Sequence, residues 1–323
     1  MSEIPAIEVE HLKVHYPNNR GGATRAVDGV SFSVTRGAFH GIIGESGCGK
    51  TTLARTIVGL QKATSGQVHI AGRERGQWQK ENRLDFARNV QFVFQDPLGS
   101  MSRRQTVRQT LEEPLLIHGL KGRQARIADL LQLVSLPDTV LDRLPRSLSG
   151  GQRQRVSIAR ALALDPGILI CDEPLSALDV SIRAQIVNLF MRLRQELDLT
   201  IVMVAHDLAV IREMCTSVTV MYLGQVVEEG SAEGVFDAPA HPYSQALLSA
   251  VPSADPRIEA TRQRKLLEGD PPSPSAIPPG CRFHTRCPVS IAACRTDEPD
   301  LRIVGHGGQA RCLLADQSVR PEI

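Results

Sequence analysis

Apolar and polar residues alternate at the start of the chain. Ile7-Glu8-Val9 and Val30-Ser31-Phe32-Ser33-Val34 predict strands of an antiparallel, half-exposed sheet. Pro17-Asn18-Asn19-Arg20-Gly21-Gly22 predicts a loop between them. Phe39–Ile43 is a short apolar run ending in a glycine-rich turn, and Thr51–Leu60 follows with helical character. From about Pro97 to Ala163 the period changes. Apolar positions in Val107–Leu111 and Ile127–Val134 recur at helical spacing, which predicts an α-helical insert. Beyond it, Ile168–Cys171 and Thr200–Val204 are continuous apolar runs, as strands buried on both faces of a parallel sheet require. Val180–Leu197 is amphipathic, so these three segments predict a βαβ unit. Near Pro252 the composition shifts. Asp270–Gly280 is too proline-rich for a helix or a central strand and predicts a stiff linker or extended arm. The sequence contains no internal repeat.

A length of 323 residues allows one large domain, or one domain with a substantial appendage. With 42% hydrophobic residues a buried core forms and wholesale disorder is excluded. Lys and Arg total 37 against 35 Asp and Glu, a formal charge of +2, so no global polybasic surface for nucleic acid is indicated. There is no apolar run long enough to span a membrane. Met1–Pro5 lacks the basic and apolar regions of a secretory signal, so the expected location is cytoplasmic. Of seven cysteines, Cys48, Cys171 and Cys215 are scattered, while Cys281, Cys287, Cys294 and Cys312 crowd the tail. A secreted disulfide scaffold has a different pattern.

Gly44-Glu45-Ser46-Gly47-Cys48-Gly49-Lys50-Thr51 fits the phosphate-loop pattern G-x-x-x-x-G-K-[ST], after an apolar strand and before a helix. Glycines let the backbone turn so that successive N–H groups point at phosphate oxygens, and the helix N-terminus favours an anion. Lys50 is expected on the β- and γ-phosphates, Thr51 on Mg²⁺ and Thr52 on the α-phosphate. The strand Ile168–Cys171 ends in Asp172 and Glu173. Asp172 is expected to hold Mg²⁺ at the strand's C-terminal edge, and Glu173 to polarise the attacking water. Ser149 and the two glycines of Leu148-Ser149-Gly150-Gly151-Gln152 precede an apolar-periodic helix over Arg153–Leu164. Alone they read as an ordinary helix cap; together with the loop and the strand end they read as a second anion site.

With these motifs in this order, roughly residues 5 to 250 resemble the ATP-binding-cassette (ABC) ATPases. Leu148–Gln152 matches the family signature, and Gln95 in Phe92-Val93-Phe94-Gln95-Asp96-Pro97 matches the Q-loop glutamine. Ser176-Ala177-Leu178-Asp179 matches the D-loop, His206 the switch histidine, and Tyr16 is placed like the aromatic that stacks on adenine. The resemblance implies an α/β ABC-type P-loop NTPase with a mixed sheet core, an antiparallel β subdomain and an α-helical subdomain at about 97–163. It implies Mg²⁺ and ATP held between two cassettes arranged head to tail. Tyr16, Gly44, Ser46, Gly47, Cys48, Gly49, Lys50, Thr51 and Thr52 would bind nucleotide. Glu173, His206 and Gln95 would act in hydrolysis, with Thr51, Gln95 and Asp172 serving Mg²⁺. Ser149, Gly150, Gly151 and Gln152 would complete the opposite site.

Residues from about 230 to 315 are similar to the tail of dipeptide and oligopeptide importers. The likeness rests on Phe236–Leu248, on Pro278-Pro279-Gly280-Cys281-Arg282-Phe283-His284-Thr285-Arg286-Cys287-Pro288, and on Cys294 and Cys312. The Pro17–Gly22 loop looks like that of the second ATPase subunit of such systems. This implies a cassette at 5–250, a proline-rich linker at 251–280 and a Cys-rich, metal-binding extension at 281–315. The spacing C-x5-C-x6-C-x17-C matches no standard ferredoxin or zinc-ribbon run. The relatives' tail implies a four-iron four-sulfur cluster; the alternatives are Zn²⁺, with His284 and His306 as spare donors, a disulfide pair, or four unrelated thiols. The implied partners are two membrane permeases, a second ABC ATPase subunit and an extracytoplasmic peptide-binding protein, with no nucleic acid. The implied place is the cytoplasmic face of the membrane. Two other functions stand beside peptide import: a soluble ABC ATPase acting on ribosomes or nucleic acid, and an importer subunit for nickel or glutathione-like substrates. Cys287→Ser is expected to destabilise the tail or the complex while leaving the nucleotide contacts intact.

Overall fold

The computed structural model describes residues 4–18, 22–176, 178–250, 267 and 269–315. Among them the strands are β1 (Ile7–Pro17), β2 (Ala23–Val34), β3 (Phe39–Ile43), β4 (Ser65–Ile70), β5 (Arg73–Glu74) and β6 (Val90–Val93). They continue with β7 (Ile168–Asp172), β8 (Thr200–Val204), β9 (Ser217–Tyr222), β10 (Gln225–Ser231), β11 (Arg302–Ile303) and β12 (Gln309–Ala310). The helices are α1 (Lys50–Ile57), α2 (Arg75–Glu81), α3 (Arg83–Asn89), α4 (Pro97–Ser100), α5 (Val107–Ile117) and α6 (Arg123–Leu133). They continue with α7 (Gly150–Leu162), α8 (Val180–Leu197), α9 (Leu208–Met214), α10 (Ala232–Asp237) and α11 (Pro242–Ser249).

Two compact units share the chain, and its segments alternate between them. One holds Met1–Ile7, Val34–Phe39 and His69–Ala205. In it β6, β7 and β8 form a parallel ladder, with Val90 opposite Ile168 and Asp172 opposite Val204. Every residue of β7 and β8 is buried, which is why both read as unbroken apolar runs. Helices α5 to α7 supply the insert expected from the helical period. Arginines close their C-terminal ends, where carbonyls lack helical partners. Arg126 bonds the Leu162 and Ala163 carbonyls at the end of α7. Arg155 and Arg192 bond the Val134 and Leu133 carbonyls at the end of α6.

The other unit holds Glu8–Ser33, His40–Val68 and His206–Ile323. Alternating burial along β1 and β2 gives the half-exposed strands predicted from the period of two. Here β3 pairs with β9 in parallel, β9 with β10 antiparallel, β10 with β12 antiparallel and β12 with β11 antiparallel. The tail thus extends a sheet edge at β10, with Glu228 opposite Ala310. Behind β3, His40 is buried, stacks on Phe32 and bonds the Ser217 and Thr219 hydroxyls. Burial pushes its pKa down to about 4, so a neutral imidazole fills this core position.

Some boundaries differ from those the periodicity predicts. Helix α1 ends at Ile57 rather than Leu60, because Gly59 turns to φ +76° and Leu60 N–H bonds back to the Arg55 carbonyl. Helix α7 begins at Gly150 rather than Arg153, because Ser149 and Gln152 cap it reciprocally. Within the predicted Pro17–Gly22 loop Asn18 and Gly22 bond each other, and residues 19–21 lie outside the described residues. Most of the predicted linker, 251–266 and 268, also lies outside them.

Candidate functional site

The phosphate loop runs from the end of β3 to the start of α1. Gly44, Gly47 and Gly49 take φ of +149°, +79° and +108°, a region that L side chains rarely adopt. Space excludes side chains as well: a Cβ on Gly44 would lie 2.2 Å from the Met221 carbonyl oxygen, and one on Gly49 2.0 Å from that of Ala26. Gly49 caps α1 without a side-chain bond, so no side chain competes with an anion for the first-turn N–H groups. The Lys50 ammonium is buried and donates to the Gly44 and Glu45 carbonyls at 2.7 and 2.9 Å. Those carbonyls hold it over the loop it would serve. Thr51 and Thr52 follow, both half-buried, on the first turn of α1. Cys48 is buried; its Sγ lies 3.8 Å from Lys50 Nζ, and burial pushes the thiol's pKa up. Tyr16, exposed near the end of β1, and His206, exposed just after β8, belong to the same unit as the loop.

The other unit carries Gln95, the signature, the acidic strand end and Asp179. Asp172 is fully buried as the last residue of β7. Glu173 follows at φ +46°, an unfavourable backbone for a residue with a Cβ. It is held there by Glu173 N–H bonding the Val204 carbonyl at 2.9 Å and by Ser176 Oγ donating to the Glu173 carbonyl at 3.0 Å. Gln95 Nε2 donates to Glu173 Oε2 at 2.9 Å, joining two residues that are 78 positions apart.

At the signature, Gln152 N–H donates to Ser149 Oγ at 3.2 Å, and Ser149 N–H donates to Gln152 Oε1 at 3.0 Å. The serine is therefore a helix cap in this chain, and it remains exposed. Gly151 lets α7 approach α8, since a Cβ there would meet Ile182 Cγ2 at 2.5 Å. Asp179 caps α8, accepting from Ile182 N–H and Ser181 Oγ, both at 2.9 Å; these bonds lower its pKa. Its neighbour Ala177 in the D-loop lies outside the described residues.

The tail reaches the phosphate loop. Arg286, the residue before Cys287, makes a two-pronged pair with the Glu45 carboxylate at 2.8 and 3.1 Å. Glu45 N–H donates to Tyr243 Oη at 2.8 Å. Arg282 donates to the Leu223 carbonyl and to Asp28, each at 2.6 Å, while His15 bonds the other Asp28 oxygen at 2.9 Å. Burial alone would raise the Asp28 pKa; its bonds to Arg282 and His15 more than offset this and leave it lowered. Phe283 is buried against Tyr222, Tyr243 and His241. Glu45 lies at a variable position of the phosphate-loop pattern, and Tyr243, Arg282 and Arg286 lie in the segments that resemble the importer tail, but no sequence signal pairs any of them with its partner.

Cys281, Cys287, Cys294 and Cys312 are free thiols in this segment, the last two buried. Burial raises the pKa of Cys281, Cys287 and Cys312, Cys287 to about 11, and mutual repulsion among the four adds to it. Leu314 N–H donates to Cys312 Sγ at 3.4 Å. His284 bonds the Cys281 carbonyl and His306 bonds the buried Glu228, so both imidazoles have partners here.

The family model described as "ABC transporter" matches residues 27–176, and "Oligopeptide/dipeptide transporter, C-terminal region" matches residues 227–294. The oligopeptide transport ATP-binding protein AppF of Bacillus subtilis is 43% identical, over 95% of this chain and 97% of that protein. The dipeptide transport ATP-binding protein DppF of Escherichia coli K12 is 42% identical, over 98% and 97%. Among solved structures, cbiO1 of Clostridium perfringens, part of an ABC transporter complex, has a TM-score of 0.65 at 28% identity over 73% of this chain and 92% of that one. The dimeric ATP-binding cassette MJ0796, bound to ADP and Pi in a post-hydrolysis state, has a TM-score of 0.64 at 30% identity, over 70% and 98%.

Proposed function

Because the chain belongs to the ABC transporter ATP-binding proteins of oligopeptide and dipeptide import, we propose that it binds and hydrolyses ATP to power peptide uptake. The phosphate loop carries this conclusion: three glycines at positive φ, an uncapped helix start and a lysine held over the loop form a cradle fit for a triphosphate. The names of full-length relatives favour peptides over nickel, ribosomes or nucleic acid.

Lys50 donates to phosphate oxygens in place of the loop carbonyls it now bonds. Thr51 and Asp172 offer a hydroxyl and a carboxylate, hard oxygen donors that suit Mg²⁺, with Gln95 as a further oxygen donor. Mg²⁺ supplies charge neutralisation on the phosphates. Glu173 orients and polarises the attacking water, and Gln95 positions Glu173 through their hydrogen bond. His206 and Asp179 serve the same step as switch and D-loop residues, and Tyr16 offers an exposed ring to adenine. Phosphoryl transfer of this kind relies on positioning and charge stabilisation. Ser149, Gly150, Gly151 and Gln152 serve the nucleotide of a second cassette, a sister subunit; the dimeric state of MJ0796 supports such pairing. The cassette spans 5–250, and the segment 281–315 binds metal. Four soft sulfur donors in one short segment suit a four-iron four-sulfur cluster, with Zn²⁺ as the alternative.

No described helix is long and apolar enough to cross a membrane. Two permeases supply the pathway, the chain docks on their cytoplasmic face, and a peptide-binding protein delivers substrate. Crosslinking from the exposed Ser102, in the insert, tests this in membranes. Capture of a permease is the expected result; products containing only soluble proteins would contradict it.

A further inference from the structure

Glu45 is a variable position of the phosphate-loop pattern, yet it is held from two sides. Its N–H is held by Tyr243 Oη at 2.8 Å, and its carboxylate by both terminal nitrogens of Arg286. The Arg286 side chain is only 6% exposed and that of Glu45 26%, so the pair is shielded from solvent. A bidentate guanidinium–carboxylate pair fixes orientation as well as distance. Tyr243 is fully buried, and Phe283, three residues before Arg286, packs on its ring.

Further struts join the same two regions. Gly224 N–H bonds the Cys48 carbonyl at 2.9 Å, while Arg282 bonds the carbonyl of neighbouring Leu223. The proline arm lies alongside, with Arg25 N–H bonding the Pro274 carbonyl at 3.1 Å. Residues 45–48 and 271–274 line a cleft of about 160 Å³. The loop that must fold around phosphates is therefore braced by residues that enter the sequence some 200 positions later.

We propose that Arg286 and Tyr243 are positioning residues for ATP binding: by fixing Glu45, they let α11 and the cysteine-bearing segment set the phosphate loop's affinity for nucleotide. The proposal rests on the nucleotide-binding function given above. A braced loop loses less conformational freedom on binding, so releasing it weakens binding without removing any group that touches phosphate.

The test is titration of the full-length chain with a fluorescent ATP analogue and Mg²⁺. Arg286→Gln is expected to raise Kd roughly five-fold or more, within the usual range of coupling between sites. Arg286→Lys should recover part of the loss, and Tyr243→Phe should raise Kd independently of Arg286. In a Glu45→Gln background, Arg286→Gln should change Kd by less than about two-fold, because the contact is already gone. Wild-type affinity in both Arg286→Gln and Tyr243→Phe would overturn the proposal. So would an equal penalty for Arg286→Gln in either background. The wild-type chain and Lys50→Ala separate the two levels: if wild type does not bind the analogue, the nucleotide-binding function itself fails, whereas binding that Lys50→Ala loses and both Arg286→Gln and Tyr243→Phe keep overturns the proposal alone.

Discussion

The phosphate loop keeps its shape through its backbone. Gly44, Gly47 and Gly49 occupy positive φ, and carbonyls of Met221 and Ala26 leave no room for a Cβ at the first and last of them. The segment from Gly280 to Cys312 has little regular structure and keeps its place through side chains. Arg282 holds Asp28, Phe283 fills an aromatic pocket, Arg286 holds Glu45, and only β11 and β12 join a ladder. Both regions lie in one compact unit. A loop that must offer N–H groups to a ligand cannot spend them on regular structure, so it is shaped by glycine and braced from outside. A tail without a core of its own borrows the core of its neighbour.

The sharpest way to break this contrast is Gly49→Ala. A Cβ at φ +108°, 2.0 Å from a carbonyl oxygen, cannot be relieved by rotating a side chain. Strain and overpacking together cost about 2–5 kcal/mol. Nucleotide binding should disappear in the titration, and no substitution in the tail should restore it. Phe283→Ala should act less severely and differently. Removing a buried phenyl ring costs roughly 3–5 kcal/mol, felt first as loss of the tail's packing. Limited proteolysis should cut the variant within 281–315 faster than wild type, with ATP binding weakened rather than abolished. If binding disappears as completely as in Gly49→Ala, the two regions are not distinct in the way described.

The same contrast explains what was legible in the sequence. Strands β7 and β8 and helix α8 follow from the local pattern of apolar positions, because full burial leaves an apolar run and half burial leaves an amphipathic period. The phosphate loop is legible because its glycines and Lys50 have to keep a fixed local spacing. Helices α2 and α3 carried no such signal; each has seven residues, and the Glu74 and Asn82 side chains cap their starts. Ser149 was readable both as a cap and as an anion-binding residue, and the capping box shows how one residue satisfies the first while staying exposed for the second. The brace on Glu45 was not legible. Arg286 lies 241 positions from it, and Arg282 lies 254 from Asp28, so no local pattern links the partners.

The central claim, ATP hydrolysis by this chain, is most directly tested at Glu173, whose carboxylate Gln95 holds at 2.9 Å. The measurement is steady-state ATP turnover by the Glu173→Gln chain assembled with its transporter partners, alongside nucleotide affinity. Binding should persist, while turnover should fall about 10²–10⁴-fold, the usual contribution of a positioned general base. Turnover at the wild-type rate, with the bound nucleotide hydrolysed as fast as before, would contradict the role given to Glu173 and the account built on it.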